Sequence, residues 1–406
     1  MQPASLPQSH APAANAWQVF LIFLRLGLTS FGGPVAHLAY FRTEFVARRR
    51  WLSESDYADL VALCQLLPGP ASSQVGMALG LRQGGFAGAL AAWLGFALPS
   101  ALVMALLGLG LIATPGLVPA GVLHGLKVAA VAVVAQAVWR MGGSLCRGPA
   151  RLLLMGLTCA LTLAIPGMAG QLGAMMIAAL AGLGLWGRAG VAPEQPAHEA
   201  PGPGPWAVRG ATLLILFAAM LVLLPLAARA WPQAWLLLAD AFFRSGALVF
   251  GGGHVVLPLL QAEVVSTGWV AQDDFLAGYG LAQAMPGPLF TFAAFLGAAA
   301  GHGAGGWLWA AVCLLAIFLP SFLLVMGVSP FWESLRRHAP LRAALSGVNA
   351  AVVGLLLASL YNPVWTSAIQ GPADIFLALA VFAELMWGRM PVWLVVPLCG
   401  VMGLWL

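Results

Sequence analysis

Two stretches of the same design, "CQLLPGPASS" at Cys64–Ser73 and "AQAMPGPLFT" at Ala282–Thr291, interrupt long apolar sequence with Pro-Gly-Pro. Proline has no N–H for the helix ladder, yet it suits the first turn of a helix. Pro68-Gly69-Pro70 and Pro286-Gly287-Pro288 therefore each end one helix and begin another. A helix beginning there points unpaired N–H groups and a positive dipole end forward. Ser72 and Ser73 in the first copy and Thr291 in the second add hydroxyl donors. Gln65 and Gln283 stand three residues before each break and offer neutral side-chain donors. The chemistry these groups share is anion binding; the bland alternative is an ordinary extramembrane loop.

Charged residues within apolar sequence extend this set. Arg25 in "FLRLG" and Arg244 in "FFRSG" hold matching positions ahead of the glycine turns Gly32-Gly33 and Gly251-Gly252. An arginine in such surroundings faces a cavity or a partner, and its planar fork matches oxyanion geometry. The competing reading pairs each arginine with Glu44 or Glu263, which follow the glycine turns at equal spacing. For these glutamates a structural lock is preferred over proton carriage. Lys127, in "HGLKVAAVAVV", is a further cationic candidate, set against a snorkelling role near a span end. His37 and His254 lie near the glycine turns but out of register, and read as packed polar residues. Asp56 and Asp274 precede half-helices and read as their caps.

The elements that position these residues come from a duplication. "FLRLGLTSFGGPVAHLAYFRTEFV" at Phe23–Val46 is echoed by "FFRSGALVFGGGHVVLPLLQAEVV" at Phe242–Val265. Farther on, Leu98-Pro99-Ser100 answers Leu319-Pro320-Ser321. The chain divides into a disordered tail (1–16), a first repeat (17–188), a Pro-rich cytoplasmic linker (189–208) and a second repeat (209–406). The tail has no basic, apolar signal-peptide pattern.

Composition sets the environment. Of 406 residues 61% are hydrophobic and 8% charged, and the mean hydropathy is +0.92. A soluble domain carries about a quarter charged residues, so the chain reads as an all-α polytopic protein of the lipid bilayer. Phe86–Ala113, Val122–Val138 and Ala211–Ala228 are each long enough to cross, and the short alternating segments of a β-barrel are absent. The net charge of +5 sits at span ends, where topology explains it, and carries no nucleic-acid signal. Five scattered cysteines suggest neither a metal site nor a disulfide framework, and no cofactor is implied.

Charge also orients the repeats through the positive-inside rule. Arg42 and Arg48–Arg50 follow the first glycine turn, whereas the matching loop of the second repeat has only Glu263, Asp273 and Asp274. The bias then reverses: Arg336, Arg337 and Arg342 answer an Arg-free stretch between Ala101 and Leu126. It reverses again where Arg140, Arg147 and Arg151 face the Arg-free "LYNPVWTSAIQGPADIF". The expected fold is two inverted-topology repeats with broken, re-entrant helices, the plan of many secondary transporters. Counting each hairpin as a kinked span is the alternative.

"SFGGPVAHLAYFRTEFVARRRWL" at Ser30–Leu52, "QLLPGPASSQ" at Gln65–Gln74, and their counterparts "FGGGH" and "QAMPGPLFTF" resemble the long, two-domain form of the chromate ion transporter family. The resemblance covers nearly the whole chain outside the tail and linker. It implies a carrier in the bacterial inner membrane that exports chromate and confers chromate resistance, with sulfate as a structural mimic. The second copy departs from the first: Gly253 stands for Pro34, and Leu289-Phe290 for Ala71-Ser72. It is expected to supply less hydroxyl chemistry and more packing.

The reading is a secondary active oxyanion transporter, not an enzyme, with a homodimer left open. No Walker motif appears, so ATP drive is not expected. A sulfate carrier or an anion channel of the same fold are the alternatives. A membrane redox enzyme finds no paired span histidines or cysteine clusters.

Overall fold

A computed structural model describes residues 14–113, 119–187, 205–250, 253–301, 305–332, 335 and 338–405. Gly251, Gly252, Arg336, Arg337, most of the tail and most of the linker lie outside the described residues. Helices dominate, and no strand occurs among the described residues.

The first repeat opens with α1 (Ala16–Thr29) and turns at Gly32 and Gly33, both left-handed at φ 97° and 77°, into α2 (Gly33–Phe41). A wide π turn over Arg42–Arg48 leads to α3 (Glu54–Leu66), which stops at the first Pro-Gly-Pro. The chain resumes as α4 (Ala71–Ala113), bent sharply at Gly84-Gly85, where Gly85 has φ 61°. Then follow α5 (Ala120–Leu145), α6 (Pro149–Ala164) and α7 (Met168–Trp186).

A peripheral helix, α8 (Pro205–Ala230), precedes the second copy. That copy repeats the order: α9 (Ala234–Leu248), α10 (Val256–Val264), α11 (Gln272–Ala284), the second Pro-Gly-Pro, α12 (Phe292–Ala300) and α13 (Gly306–Val328). It closes with α14 (Ala339–Ser359), α15 (Pro372–Trp387) and α16 (Val392–Met402). The expected helix breaks therefore appear at both Pro-Gly-Pro runs. Both expected caps differ, with Asp56 and Asp274 each inside the first turn of its helix: Ser53 accepts the Asp56 N–H at the start of α3. Ala271, without a side-chain bond, begins α11. A serine earlier in the sequence outcompetes Asp56 because its hydroxyl already lies at capping distance.

Among the described residues six helices are long and apolar enough to cross a membrane. With 14 residues, α1 covers about 21 Å and cannot cross a hydrocarbon core of about 30 Å alone.

The repeats interlock reciprocally. Helix α5 of the first copy packs against α15 and α16 of the second, while α14 packs against α6 and α7. Contacts also agree with the charge-derived sides. Arg151 and Arg342, both assigned to the cytoplasmic side, line one cavity. His124 and Asp374, both from Arg-free stretches, meet at 2.7 Å.

Glycines permit the closest approaches. A Cβ on Gly27 of α1 would lie 2.7 Å from the carbonyl oxygens of Gly95 and Phe96 in α4. On Gly246 of α9 it would lie 2.1 Å from the Ile317 oxygen in α13, the equivalent contact of the other repeat. Replacing Gly246 by leucine must push α9 from α13 and is expected to cost about 1–3 kcal/mol or more. Thermal unfolding in detergent should show that loss, with Gly156→Leu, where a Cβ meets nothing within 4 Å, unchanged.

Candidate functional site

The two breaks reach across the molecule to each other's repeat. Gly69 N–H donates to the carbonyl of Val249 at the end of α9, at 2.6 Å. Gly287 N–H donates to the carbonyl of Ser30 at the end of α1, at 2.9 Å. Ser30 and Val249 are equivalent positions, as are Gly69 and Gly287. The glycines are required there: φ is 125° at Gly69 and 87° at Gly287. A Cβ on Gly69 would lie 2.5 Å from Ser321 Oγ, and one on Gly287 3.0 Å from Ser100 Oγ. Each break thus abuts the Leu-Pro-Ser motif of the opposite repeat. Even the glycine turns meet, since a methyl on Gly253 would sit 3.7 Å from Pro34, its own counterpart. Such exchange of equivalent contacts marks a two-fold relation between the halves.

Donors cluster at the first break. In α4 the first turn-closing bond runs from Gln74 N–H to Pro70 O, so the amides of Ala71, Ser72 and Ser73 precede the helical ladder. Ser72, Ser73 and Gln74 are buried. His37 is buried beside them, its Nε2 3.2 Å from Ser30 O and its Nδ1 3.3 Å from Ser72 Oγ. A carbonyl only accepts, so Nε2 carries the proton and the Ser72 hydroxyl donates to Nδ1. Gln74 Nε2 donates to Pro68 O at 2.6 Å and approaches Ser321 Oγ at 3.4 Å. Ser30 Oγ, Ser73 Oγ and Gln74 Oε1 are buried with no hydrogen-bond partner among the described residues. In a packed interior an unanswered hydroxyl is costly enough to need a reason.

The second break has fewer free donors. Thr291 Oγ1 donates to Pro288 O at 2.9 Å, so its hydroxyl is already engaged. Leu289 and Phe290 are buried, and Phe290 lies against Phe318. Gln283, half-buried, approaches His254 Nδ1 at 3.5 Å, the same nitrogen that faces the Tyr279 hydroxyl at 3.0 Å. Gln65, its counterpart, is exposed and not part of the cluster.

The cationic candidates lie elsewhere. Arg25 is exposed on the outer face of α1. Arg244 is engaged by two buried carboxylates: its Nε by Asp240 at 3.0 and 3.1 Å, its two terminal nitrogens by Glu263 at 2.8 and 3.1 Å. Asp240 has no counterpart in the first repeat, where Leu21 holds its place. Glu44 pairs with Arg48 and Arg49, not with Arg25. Burial would raise the Glu44 carboxyl, but hydrogen bonds from Arg49 and Arg48 outweigh it and hold it below the usual range. Lys127 is buried on α5 and bonds Asp273 of the second repeat at 3.0 Å. Of the glycine-turn candidates, Gly32 and Gly33 shape the α1–α2 turn.

Sequence reasoning passed over Ser30, Gln74, Ser100 and Ser321. The repeated Leu-Pro-Ser motif was the available signal for the last two.

A family model described as chromate transporter matches residues 17–185 and again 236–404. The chain belongs to the chromate transporter family. Similar members include a "Chromate transport protein" of Pseudomonas aeruginosa, 30% identical over 92% of this chain and 86% of that one. One of the same name from Cupriavidus metallidurans is 27% identical over 93% of this chain and 89% of its own length. A "Probable chromate transport protein" of Synechococcus elongatus is 28% identical over 85% of this chain and 84% of its own. No solved structure matches. Family membership fits the two-copy match to two helical halves, and the relatives are named as transport proteins.

Removing Arg244 strands Asp240 and Glu263 as buried, unpaired charges. Arg244→Ala is therefore expected to lose about 3–5 kcal/mol of stability, against under about 0.5 kcal/mol for the exposed Arg25→Ala. Thermal unfolding of the purified variants compares them directly.

Proposed function

We propose that the chain exports chromate, a tetrahedral dianion, from the cytoplasm across the bacterial inner membrane and so confers chromate resistance. The observation that carries this reading is the first break: a helix start buried between inverted repeats, with an unpartnered Ser73 hydroxyl beside its free first-turn amides. Family membership supplies the identity of the anion, and the donor set suits it. Neutral N–H and O–H groups can match several oxyanion oxygens without the tight hold of a buried guanidinium. The substrate-binding set in this reading is Gly69, Pro70, Ser72 and Ser73, with Gly287, Pro288 and Thr291 closing the site from the second repeat. Gly32, Gly33, Pro68 and Pro286 hold the turns. Arg25, Gln65, Arg244 and Lys127 are left outside it. Gln283 with Glu44 and Glu263 braces the scaffold.

Transport on this account is a rocking of the two repeats about the crossed breaks, so that the site opens to each side in turn. The membrane potential suffices as drive. Moving one charge across 100 mV is worth about 2.3 kcal/mol, hence roughly 4.6 kcal/mol for a dianion leaving a negative interior.

Everted membrane vesicles with an imposed inside-positive potential are expected to accumulate chromate, saturably and with sulfate as a competitor. Ser73→Ala removes one hydrogen bond to a charged ligand, about 1.5–3 kcal/mol, so uptake at low chromate should fall roughly tenfold or more. Gln65→Ala should leave it unchanged. Absence of chromate uptake by wild-type vesicles, or uptake that never saturates, would overturn the carrier reading.

A further inference from the structure

The cavity lined by Arg151 and Arg342, of about 250 Å³, opens where the first repeat meets the start of α14. Its walls carry Arg151 and Arg342 together with Ser144, Ser346 and Asn349. Leu66, two residues before the first Pro-Gly-Pro, forms part of the same wall, so the cavity borders the approach to that break. Among the described residues no carboxylate lines it.

Its electrostatics are one-sided. Arg151 stands in the first turn of α6, three residues after the cap Gly148, and Arg342 follows the α14 cap His338 by four. Helix starts favour anionic side chains, and neither helix has an acidic residue in its first turn. Two guanidiniums, one from each repeat, therefore share one cavity with no acidic residue in the first turn of either helix. Arg151 is held over the Trp186 ring, 5.2 Å from its centroid, which fixes its position at the rim. A cavity with this lining is incomplete without negative charge. Both arginines belong to the loops that charge bias assigns to the cytoplasm, the side from which an exported anion enters.

We propose that this cavity is a capture site for tetrahedral oxyanion dianions, which raises their local concentration at the cytoplasmic mouth and passes them to the first break. The proposal rests on the oxyanion reading of that break. Guanidinium forks recognise the paired oxygens of the ligand, while Ser346 and Asn349 supply neutral contacts on its inner side. Because the site lies on one face only, it acts on entry and not on the central transfer step.

Two measurements on the full chain test this separately from chromate transport. In the first, Ser346→Cys is labelled from the cytoplasmic side with an impermeant thiol reagent, and sulfate, which does not oxidise thiols, is the protecting probe. Sulfate is expected to slow labelling at least fivefold. Arg151→Gln or Arg342→Gln should abolish the protection, and Arg342→Lys should retain part of it. In the second, chromate uptake into everted vesicles is followed in the same variants without the cysteine. The Gln variants should raise KM about tenfold with kcat within twofold, and high salt should shrink the difference from wild type. Unchanged protection and unchanged KM in stably expressed Gln variants would overturn the capture site and leave the arginines a topological role. Protection without any wild-type chromate uptake would instead sink the transport reading while the oxyanion site stands.

Discussion

A helix interrupted within apolar surroundings exposes peptide groups that no water is present to satisfy, at several kcal/mol for each one left alone. The protein meets this constraint by exchange between its two repeats. Gly69 N–H finds its acceptor on Val249, and Gly287 N–H finds its acceptor on Ser30, so neither half can complete its own break. The same exchange recurs at larger scale, with α5 seated on α15 and α16 and α14 seated on α6 and α7. Duplication with inversion makes this possible, because one solution to an unsatisfied amide is then automatically supplied twice.

Although the scaffold is two-fold, its chemistry is not. Ala71 and Ser72 at the first break are replaced by Leu289 and Phe290 at the second, and Thr291, the counterpart of Ser73, turns its hydroxyl back onto Pro288. The first break is left as the donor-rich face and the second as a packed counterpart. Charge is likewise kept away from the crossing: Arg244 is neutralised by Asp240 and Glu263, and Lys127 by Asp273. A dianion at the crossing would meet dipoles and hydroxyls, which can release it more readily than a buried arginine could.

Much of this was legible from sequence. Proline and glycine report directly on backbone geometry, so Pro68-Gly69-Pro70 and Pro286-Gly287-Pro288 announced their breaks without knowledge of packing. Alternation of arginine-rich and arginine-free loops gave the inversion, and the pairing of His124 with Asp374 agrees with it. Side-chain direction was not legible. Arg25 and Arg244 are equivalent in register, yet one faces outward and the other is buried between carboxylates, because Leu21 and Asp240 differ one helical turn earlier. Nor could local pattern show that Ser100 and Ser321 lie against breaks nearly two hundred residues or more distant in the chain, a fact fixed only by how the repeats cross.

The central claim is that one oxyanion binds where the two Pro-Gly-Pro breaks cross. Crystals grown with chromate, measured at the chromium absorption edge, locate the metal atom of the anion without ambiguity of element. The account predicts an anomalous peak within hydrogen-bonding reach of the Ser72 and Ser73 amides and the Ser73 hydroxyl, between the repeats. Chromate bound beside Arg25 on the outer face, with nothing at the crossing, would contradict it.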